Sequence, residues 1–374
     1  MLRYLTAGES HGKALVGIME GIPAGIPLSE SDFSEIMALR WAGYGRGARK
    51  KIETDRVEIL SGTRNGITLG SPIALLIDNK STSITKSITV PRPGHADLAG
   101  AIKFETYDLV NIRERASARE TAMRVALSVP ARKLISLLGV ESIAMVRRIG
   151  RISASISDKI SIADMKVCLR EHGRAFLSYD KKAIKKWISL IDNAVVTGDT
   201  LGGEAEIWFE GLPAGLGSHV HWDRRLDAKI AGALMSIPAV KAVEMGQGID
   251  RSREIGRKAH DEIQYSDERG YWRPTNFSGG LEGGMTNGEK LIFRCFMKPL
   301  PGNINGFSIE LGTHETKPLS ENRSDTVAVA AMAIVAESVA AIEIAGCFLE
   351  KFGGDSFYEL QTAMDRYKKH AKKM

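Results

Sequence analysis

The sequence predicts an α+β fold with antiparallel sheets, built from two similar halves of one chain. The segment EGIPAG (20–25) returns as EGLPAG (210–215), and each copy closes a short apolar run, GKALVGIM or GGEAEIWF. A glycine-rich bend follows in both halves. Ser61, Gly62, Gly66, Thr68 and Gly70 are echoed by Ser278, Gly279, Gly283, Thr286 and Gly288, one extra glycine shifting the later copy. Each half then reaches an Arg/Ser loop opening an Ala-rich helix, RASARETAMRVAL (115–127) and RSDTVAVAAMAIV (323–335). Pro-Ala-Gly after a strand is common turn chemistry, but three echoes in one order point to duplication. Strand and helix patterns come in blocks rather than in βαβ alternation, which favours segregated antiparallel sheets.

Along the chain, SESDFSEIMALRWA (29–42) has helical spacing, with Ser29 or Ser31 as its N-cap. VEILSGTRNGITLGSPIALLI (57–77) reads as two strands around a bend. Residues 150–198 differ: they are polar and lysine-rich, with Ile184, Trp187, Ile188 and Ile191 at the spacing of an amphipathic helix. They are expected to be a peripheral insertion without chemistry. HWDRRLDAKIAGALMS (221–236) is again helical. TVAVAAMAIVAESVAAIEIAGCFL (326–349) carries Glu337 and Glu343, so it reads as a buried Ala-rich helix and not a membrane span. The tail DRYKKHAKKM (365–374) reads as a solvated, fraying end. The expected organisation is one domain over 1–374, with halves of about 1–140 and 205–350 and an insertion at about 150–198.

Composition narrows the class. The N-terminus MLRYLTAGESHG lacks the apolar core of a signal peptide. Cys168, Cys295 and Cys347 form neither a metal-ligand spacing nor a disulfide framework, which suits a reducing cytoplasm. A net charge of +6 is mild over 374 residues, so the placement of arginines matters more than their number.

Five stretches concentrate Arg, His and Gly in expected loops: GESHG (8–12), RWAGYGRGARKK (40–51), RPGHAD (92–97), RERASARE (113–120) and ENRSD (321–325). Glycine lets backbone approach a ligand, and guanidinium forks match phosphate or carboxylate oxygens in pairs. Together they point to a small, multiply anionic ligand. His219 and His221 have metal-like spacing but no clear third ligand, so no metal is assigned. Neither a P-loop nor a Rossmann fingerprint occurs, and no Ser/His/Asp or Cys/His arrangement can be assigned.

These motifs carry a resemblance. GESHG, GYGRG followed by LSG…GITLGSPI, RPGHAD, RASARETAMRVA, LPAGLGSHVHWDRRLDAKIAGALMSI, GGLEGGMTNG and KPLP are similar to the signatures of the chorismate synthase family, over nearly the whole chain. The resemblance implies a β-α-β sandwich, with helices between two antiparallel sheets, assembled as a homotetramer. It implies an anti 1,4-elimination of phosphate from 5-enolpyruvylshikimate 3-phosphate, dependent on reduced FMN (FMNH2) without net oxidation. By similarity Arg40, Arg46, Arg49, Arg92, Arg119 and Arg323 line the substrate. His95 is the general acid near the leaving group, His11 holds the flavin in its productive protonation state, and Asp325 biases flavin N5 toward acting as a base. The FMN is expected against Arg115, Ala116, Ser117, Pro238, Ala239, Gly283, Lys298, Pro299, Leu300, Pro301, Gly302 and Arg323. NADPH, as a possible reductant, would meet Arg40 and Arg46.

The chain departs from the family pattern in four places. Ser324 stands where many members have His, and AVAAMAIVAE replaces a Pro-rich continuation. Pro238-Ala239 replaces a pair usually Asn-Ala, leaving backbone contacts, and Gly302 replaces a Thr, removing a hydroxyl. Two rival classes stand beside this reading. A basic RNA-binding protein would account for RGARKK, but aromatic residues make up only 6% and no aromatic strand motif occurs. An ordinary flavin oxidoreductase would explain a flavin cradle but not so many arginines. The expected partner is therefore the small phosphorylated substrate, with neither nucleic acid nor membrane.

Overall fold

The computed structural model describes residues 2–47, 53–82, 86–157, 160–172, 175–301, 306–319, 325–371 and 374. Its first part runs β1 (Arg3–Ala7), β2 (Ala14–Glu20), α1 (Ser31–Trp41), β3 (Val57–Ser61), β4 (Thr63–Arg64), β5 (Ile67–Thr68), β6 (Ile73–Asp78), α2 (Asp97–Lys103), α3 (Val110–Ala116) and α4 (Thr121–Leu137). Then come β7 (Glu141–Ile149), β8 (Ile152–Ser153), α5 (Ile162–His172) and α6 (Lys181–Thr197). The last part begins with β9 (Gly203–Glu210), α7 (Leu226–Met235), β10 (Val240–Met245), α8 (Gly248–Arg251), α9 (Gly256–Ala259), β11 (Gln264–Ser266) and β12 (Gly270–Trp272). It ends with β13 (Leu281–Glu282), β14 (Met285–Thr286), β15 (Leu291–Met297), β16 (Phe307–Ile309), β17 (Thr316–Pro318), α10 (Val329–Phe352) and α11 (Phe357–Ala371).

The named strands pair antiparallel, in the α+β class that the sequence predicts. One sheet has the order β1-β2-β6-β3 and the other β10-β15-β9-β7-β8. Read from β7, the second repeats the order of the first, with β8 added at its edge. Period-2 patterning decides which faces are buried: in β2, Leu15 and Met19 are fully buried while Ile18 faces out. The buried faces meet helices. α4 lies on β2 and β6, α10 lies on β7 and β9, and α4 and α10 pack on each other. Gly17 on β2 permits the close approach of α4, because a Cβ there would stand 2.6 Å from Met123 Sδ. The apolar stretch at 326–349 forms most of α10, which is a buried core helix, and Glu337 on it bonds to Arg132 and Ser142.

The two Pro-Ala-Gly turns carry matching hydrogen bonds. Thr68 Oγ1 donates to the Pro23 carbonyl (2.7 Å) and accepts from Ile26 N–H (2.9 Å). Thr286 Oγ1 donates to Pro213 (2.6 Å) and accepts from Leu216 N–H (2.9 Å). Gly25 N–H donates to Thr68 O as Gly215 N–H does to Thr286 O, and Leu28 N–H donates to Gly66 O as Leu226 N–H does to Gly284 O. Leu69 N–H to Gly62 O is matched by Asn287 N–H to Gly280 O. These bonds correct the register read from sequence. Gly62 and Gly66 correspond to Gly280 and Gly284, not to Gly279 and Gly283, so the extra glycine lies before the bend.

Other local expectations also change. The N-cap of α1 is Glu30, without a side-chain bond; Ser29 instead donates N–H and hydroxyl to Asp32. The amphipathic helix expected near 184–191 is α6, capped by the Asp180 carboxylate and ended by Gly198 in the left-handed region (φ 69°). Trp187 and Ile191 on it are fully buried, and its contact with the 43–47 loop is described below. The tail is ordered as helix through Ala371, because Leu360 and Met364 are buried beneath it. α11 touches both repeated turns. Ala24 exchanges backbone bonds with Asp355 and Phe357, and the Tyr367 hydroxyl donates to Ala214 O (2.9 Å).

Candidate active site

GESHG is the connection from β1 to β2. Asn79 Nδ2 gathers it by donating to the carbonyls of Glu9 (3.0 Å) and Gly12 (2.9 Å). The His11 N–H donates to Glu114 Oε2 (2.5 Å), and His11 Nδ1 lies 2.8 Å from Glu114 Oε1. A carboxylate at Nδ1 selects the tautomer protonated there and leaves Nε2 for a ligand. Ser117 Oγ donates to Ser10 Oγ (3.2 Å), joining this loop to the break between α3 and α4. That break corrects one expectation, since residues 113–116 are helical and only Ser117 begins the turn.

Behind this loop lies a buried charged network. Arg119 donates Nε to Asn79 Oδ1 (2.9 Å), Nη1 to Asp55 and Nη2 to Glu53 (3.4 Å). Arg40, at the end of α1, donates to Asp55 Oδ2 (3.3 Å), Ala118 O (3.1 Å) and Thr121 Oγ1 (3.1 Å). Burial pulls the Arg40 pKa down to about 10; Asp55 opposes this and the neighbouring Arg46 and Arg119 add to it. Asp55 sits at φ 47°, a left-handed conformation uncommon outside glycine, and its two oxygens serve both arginines. Both guanidiniums are almost wholly buried.

Trp41 stands beside them. The guanidinium carbons of Arg40, Arg46 and Arg119 lie 5.3, 5.9 and 6.0 Å from its ring centre. Arg46 Nε is 3.3 Å from Asp325 Oδ2, and Asp325 Oδ1 accepts from Gly47 N–H (2.6 Å). The loop carrying Arg46 rests on the inserted helix. Tyr44 donates to Asp192 (2.7 Å) and packs its ring 5.7 Å from Phe176. Gly45, at φ 75°, has room only for hydrogen, since a Cβ would lie 2.7 Å from Ile191 Cγ2. The 150–198 insertion is thus not peripheral, because its apolar face is the floor of this loop.

A second cluster forms around Asp97 at the start of α2. Its buried carboxylate accepts from Arg92 N–H (2.9 Å), Arg92 Nε (3.1 Å) and Arg113 Nε (2.9 Å), and it pairs with His95 Nδ1. Burial alone would raise its pKa; the bonds from His95 and Arg92 outweigh that and hold the carboxyl well below its ordinary value. Arg92 Nη2 lies 3.2 Å from both His95 ring nitrogens. Arg113 and Glu114 are neighbours on α3, so one short helix holds the carboxylate of His11 and a guanidinium of the His95 cluster.

The remaining candidates flank these clusters. Arg115 donates to the carbonyls of Thr6 (2.9 Å) and Gly8 (3.2 Å), and Ala116 ends α3. Lys298 donates Nζ to Gly94 O, within RPGHAD, and N–H to Ala239 O (3.0 Å). Ala239, after Pro238, is itself left-handed (φ 69°). Pro299, Leu300 and Pro301 follow β15, with Thr200 Oγ1 donating to Leu300 O (2.8 Å). Gly283 caps the β13–β14 hairpin, and among the described residues no hydrogen bond or ion pair ties it to either cluster. Arg49, Gly302, Ser324 and Arg323 lie outside the described residues. A cavity of about 380 Å³ between α1, α4, β7 and α10 holds none of these candidates. His221 pairs with Asp223 (2.7 Å).

Sequence reasoning passed over the acids and the indole. Asp97 and Glu114 stand within the quoted stretches, where a histidine with a nearby carboxylate is a recognisable sign. Asp55, Glu53 and Asn79 carry no such sign, since only folding brings them to Arg119.

The family model described as chorismate synthase matches residues 2–349. A protein named chorismate synthase from Moorella thermoacetica is 46% identical, with 99% of each chain covered. One of the same name from Thermus thermophilus is 44% identical, over 99% of this chain and all of the other. A solved structure titled "Crystal Structure of Chorismate Synthase" superposes with a TM-score of 0.82 at 39% identity, covering 100% of this chain and 99% of that one.

Proposed function

The chain belongs to the chorismate synthase family, and on that premise we propose how its residues divide the work of the elimination. The enzyme is a lyase of aromatic amino acid biosynthesis that releases phosphate from 5-enolpyruvylshikimate 3-phosphate, and its family needs reduced flavin. One observation carries the assignment of the site. Buried donor atoms of Arg40, Trp41 and Arg46 lack a hydrogen-bond partner among the described residues, with Arg46 Nε in ion-pair contact with Asp325 Oδ2 at 3.3 Å. Buried donors without acceptors are costly, and an anion-rich ligand satisfies them.

Arg46 and Arg92, with Arg49 and Arg323, take the phosphate and carboxylates of the substrate. Arg40 and Arg119, already bonded to Asp55, Glu53 and Asn79, serve chiefly through their charge. His95, oriented by Asp97, gives a proton to the departing phosphate. His11, oriented by Glu114, exchanges a proton with the cofactor through Nε2. A histidine suits both tasks because its ordinary pKa lies near neutrality. The same donor-rich surroundings fit an anionic flavin. Arg115, Ala116, Ser117, Pro238, Ala239, Gly283 and the 298–302 stretch, with Arg323, would hold FMN, and Asp325 would face its N5. When bound, reduced FMN would supply transient electron density and an acceptor for the ring hydrogen, which is finally lost as a proton with no net oxidation.

We further propose the layered sandwich of the family, built from two duplicated halves; the repeated strand order and matched turns support it. From the family we also assign a cytoplasmic homotetramer; exposed Leu5, Ile18 and Leu60 on the first sheet support association between copies. Anaerobic incubation with reduced FMN and the phosphorylated substrate should release chorismate and phosphate in equal amounts. No release at saturating concentrations would overturn the reading. NADPH oxidation in the same assay, with oxidised FMN, tests the assignment of Arg40 and Arg46 to that reductant.

A further inference from the structure

Seven buried side-chain nitrogen or oxygen atoms lack a hydrogen-bond partner among the described residues, and four of them belong to residues 40–46: Arg40 Nε, Trp41 Nε1, Arg46 Nε (in ion-pair contact with Asp325) and Arg46 Nη1. All four are donors. Three are cationic, and one, the indole N–H of Trp41, is neutral and can only donate. The same indole ring has three guanidiniums within about 6 Å, an arrangement favoured by the negative face of the ring. Like charges gathered around one ring repel unless something holds them, and the acids in hydrogen-bond or ion-pair contact with them are Asp55, Glu53 and Asp325. The ring thus offers the cations a favourable face while its N–H has no hydrogen-bond partner among the described residues.

We propose that Trp41 is a substrate-binding residue, its Nε1–H donating to an anionic oxygen of the phosphorylated substrate held by Arg46. This rests on the reading that residues 40–47 face the substrate. An indole adds what a further arginine could not: a directional donor without extra charge on a crowded site. It also gives selectivity, because an analogue lacking the matching oxygen leaves the donor buried and unpaired.

The test uses the full chain in two measurements. Trp41→Phe keeps a ring for the guanidiniums and removes the donor. Its KM for the substrate should rise roughly 10- to 100-fold, the weight of a hydrogen bond to a charged group, with kcat within about twofold of wild type. In wild-type protein carrying 5-fluorotryptophan, the Trp41 fluorine resonance, identified by its loss in Trp41→Phe, should move on adding substrate without flavin. It should stay in place with oxidised FMN alone. An unchanged KM, or a resonance unmoved at saturating substrate, would overturn the proposal. Movement with FMN alone would also overturn it, giving the donor to the cofactor. Arg46→Ala separates the two levels. If it too leaves KM unchanged, the substrate-facing reading of the loop fails; if only Trp41→Phe is silent, that reading stands and the indole has no part in it.

Discussion

The Thr68 turn and the connection that follows Trp41 both lie in the first part of the chain, yet among the described residues only the first has a bond-for-bond match later in the sequence. The Thr68 and Thr286 turns match bond for bond. Between α7 and β10, by contrast, the chain needs only residues 236–239, whereas between α1 and β3 it uses 42–56. That longer connection holds Arg46, the floor contact with α6 and the acids that fix Arg119. The same holds after β6, where residues 79–120 carry both histidine-orienting acids, while the stretch after β15 carries Lys298 and Asp325. What repeats is scaffold, satisfying backbone polar groups at a strand end. What does not repeat is chemistry, asymmetric because the ligands are.

The largest effect expected is on turnover. His11→Ala and His95→Ala should each lower kcat by roughly 10²- to 10⁴-fold, the usual weight of a positioned proton-transfer group. Melting temperature should barely change, since both histidines lie in loops. Steady-state kinetics with reduced FMN, paired with thermal melts, check this. Wild-type turnover in either variant would remove that residue from the chemistry and weaken the contrast between loop and scaffold.

Asp97 tests whether the contrast is clean. Asp97→Ala leaves two arginines and a histidine without their buried carboxylate, and breaking a buried pair costs about 3–5 kcal/mol. This residue, at the head of α2, should therefore behave like scaffold in urea unfolding. The pH dependence follows from the lowered pKa. The stabilisation is complete above the ordinary carboxylate pKa of 3.8 and is lost as the pH falls below it toward the depressed folded value. The acid limb of wild-type stability should be steeper than that of Asp97→Asn; identical limbs would show that Asp97 contributes nothing there.

How much of this was legible in the sequence differs between the same regions. Strand alternation, the Ala-rich core helix and the paired turns could be read because local patterns encode them. The glycine register could not, because Gly279 and Gly280 are adjacent and only the match between Leu69 N–H to Gly62 O and Asn287 N–H to Gly280 O separates them. His11, His95 and Arg46 stood out by residue type and glycine context. The acids Glu114, Asp97 and Asp55, which hold His11, His95 and the Arg40–Arg119 pair, did not, and α3 was missed because its order comes from ion pairs to His11 and Asp97 rather than from an apolar face.

A smaller effect compares the turns directly. Thr68→Val and Thr286→Val each remove a buried hydroxyl that both donates and accepts, and each should cost about 1–3 kcal/mol. Equal losses in chemical denaturation would sharpen the equivalence of the turns; a gap above about 1 kcal/mol would break it. Smallest is the bond between Tyr44 and Asp192, which is solvent-exposed. Tyr44→Phe should cost less than about 1 kcal/mol and raise substrate KM a few-fold through looser placement of Arg46. An unaltered KM would confine the inserted helix to a role in stability.

The C-terminal helix α11 gives the repeat a mechanical meaning. It starts against Ala24 in one turn and places Tyr367 on Ala214 in the other, so it acts as a cross-brace over a seam. A brace of this kind makes independent melting of the halves costly, because either one must shed the helix to open. Amides of both turns should then exchange with solvent as one cooperative unit, and a chain ending at Phe352 should show them parting into two. Anyone shortening this protein or fusing a partner to its end is, in effect, working on the hinge pin of the whole molecule.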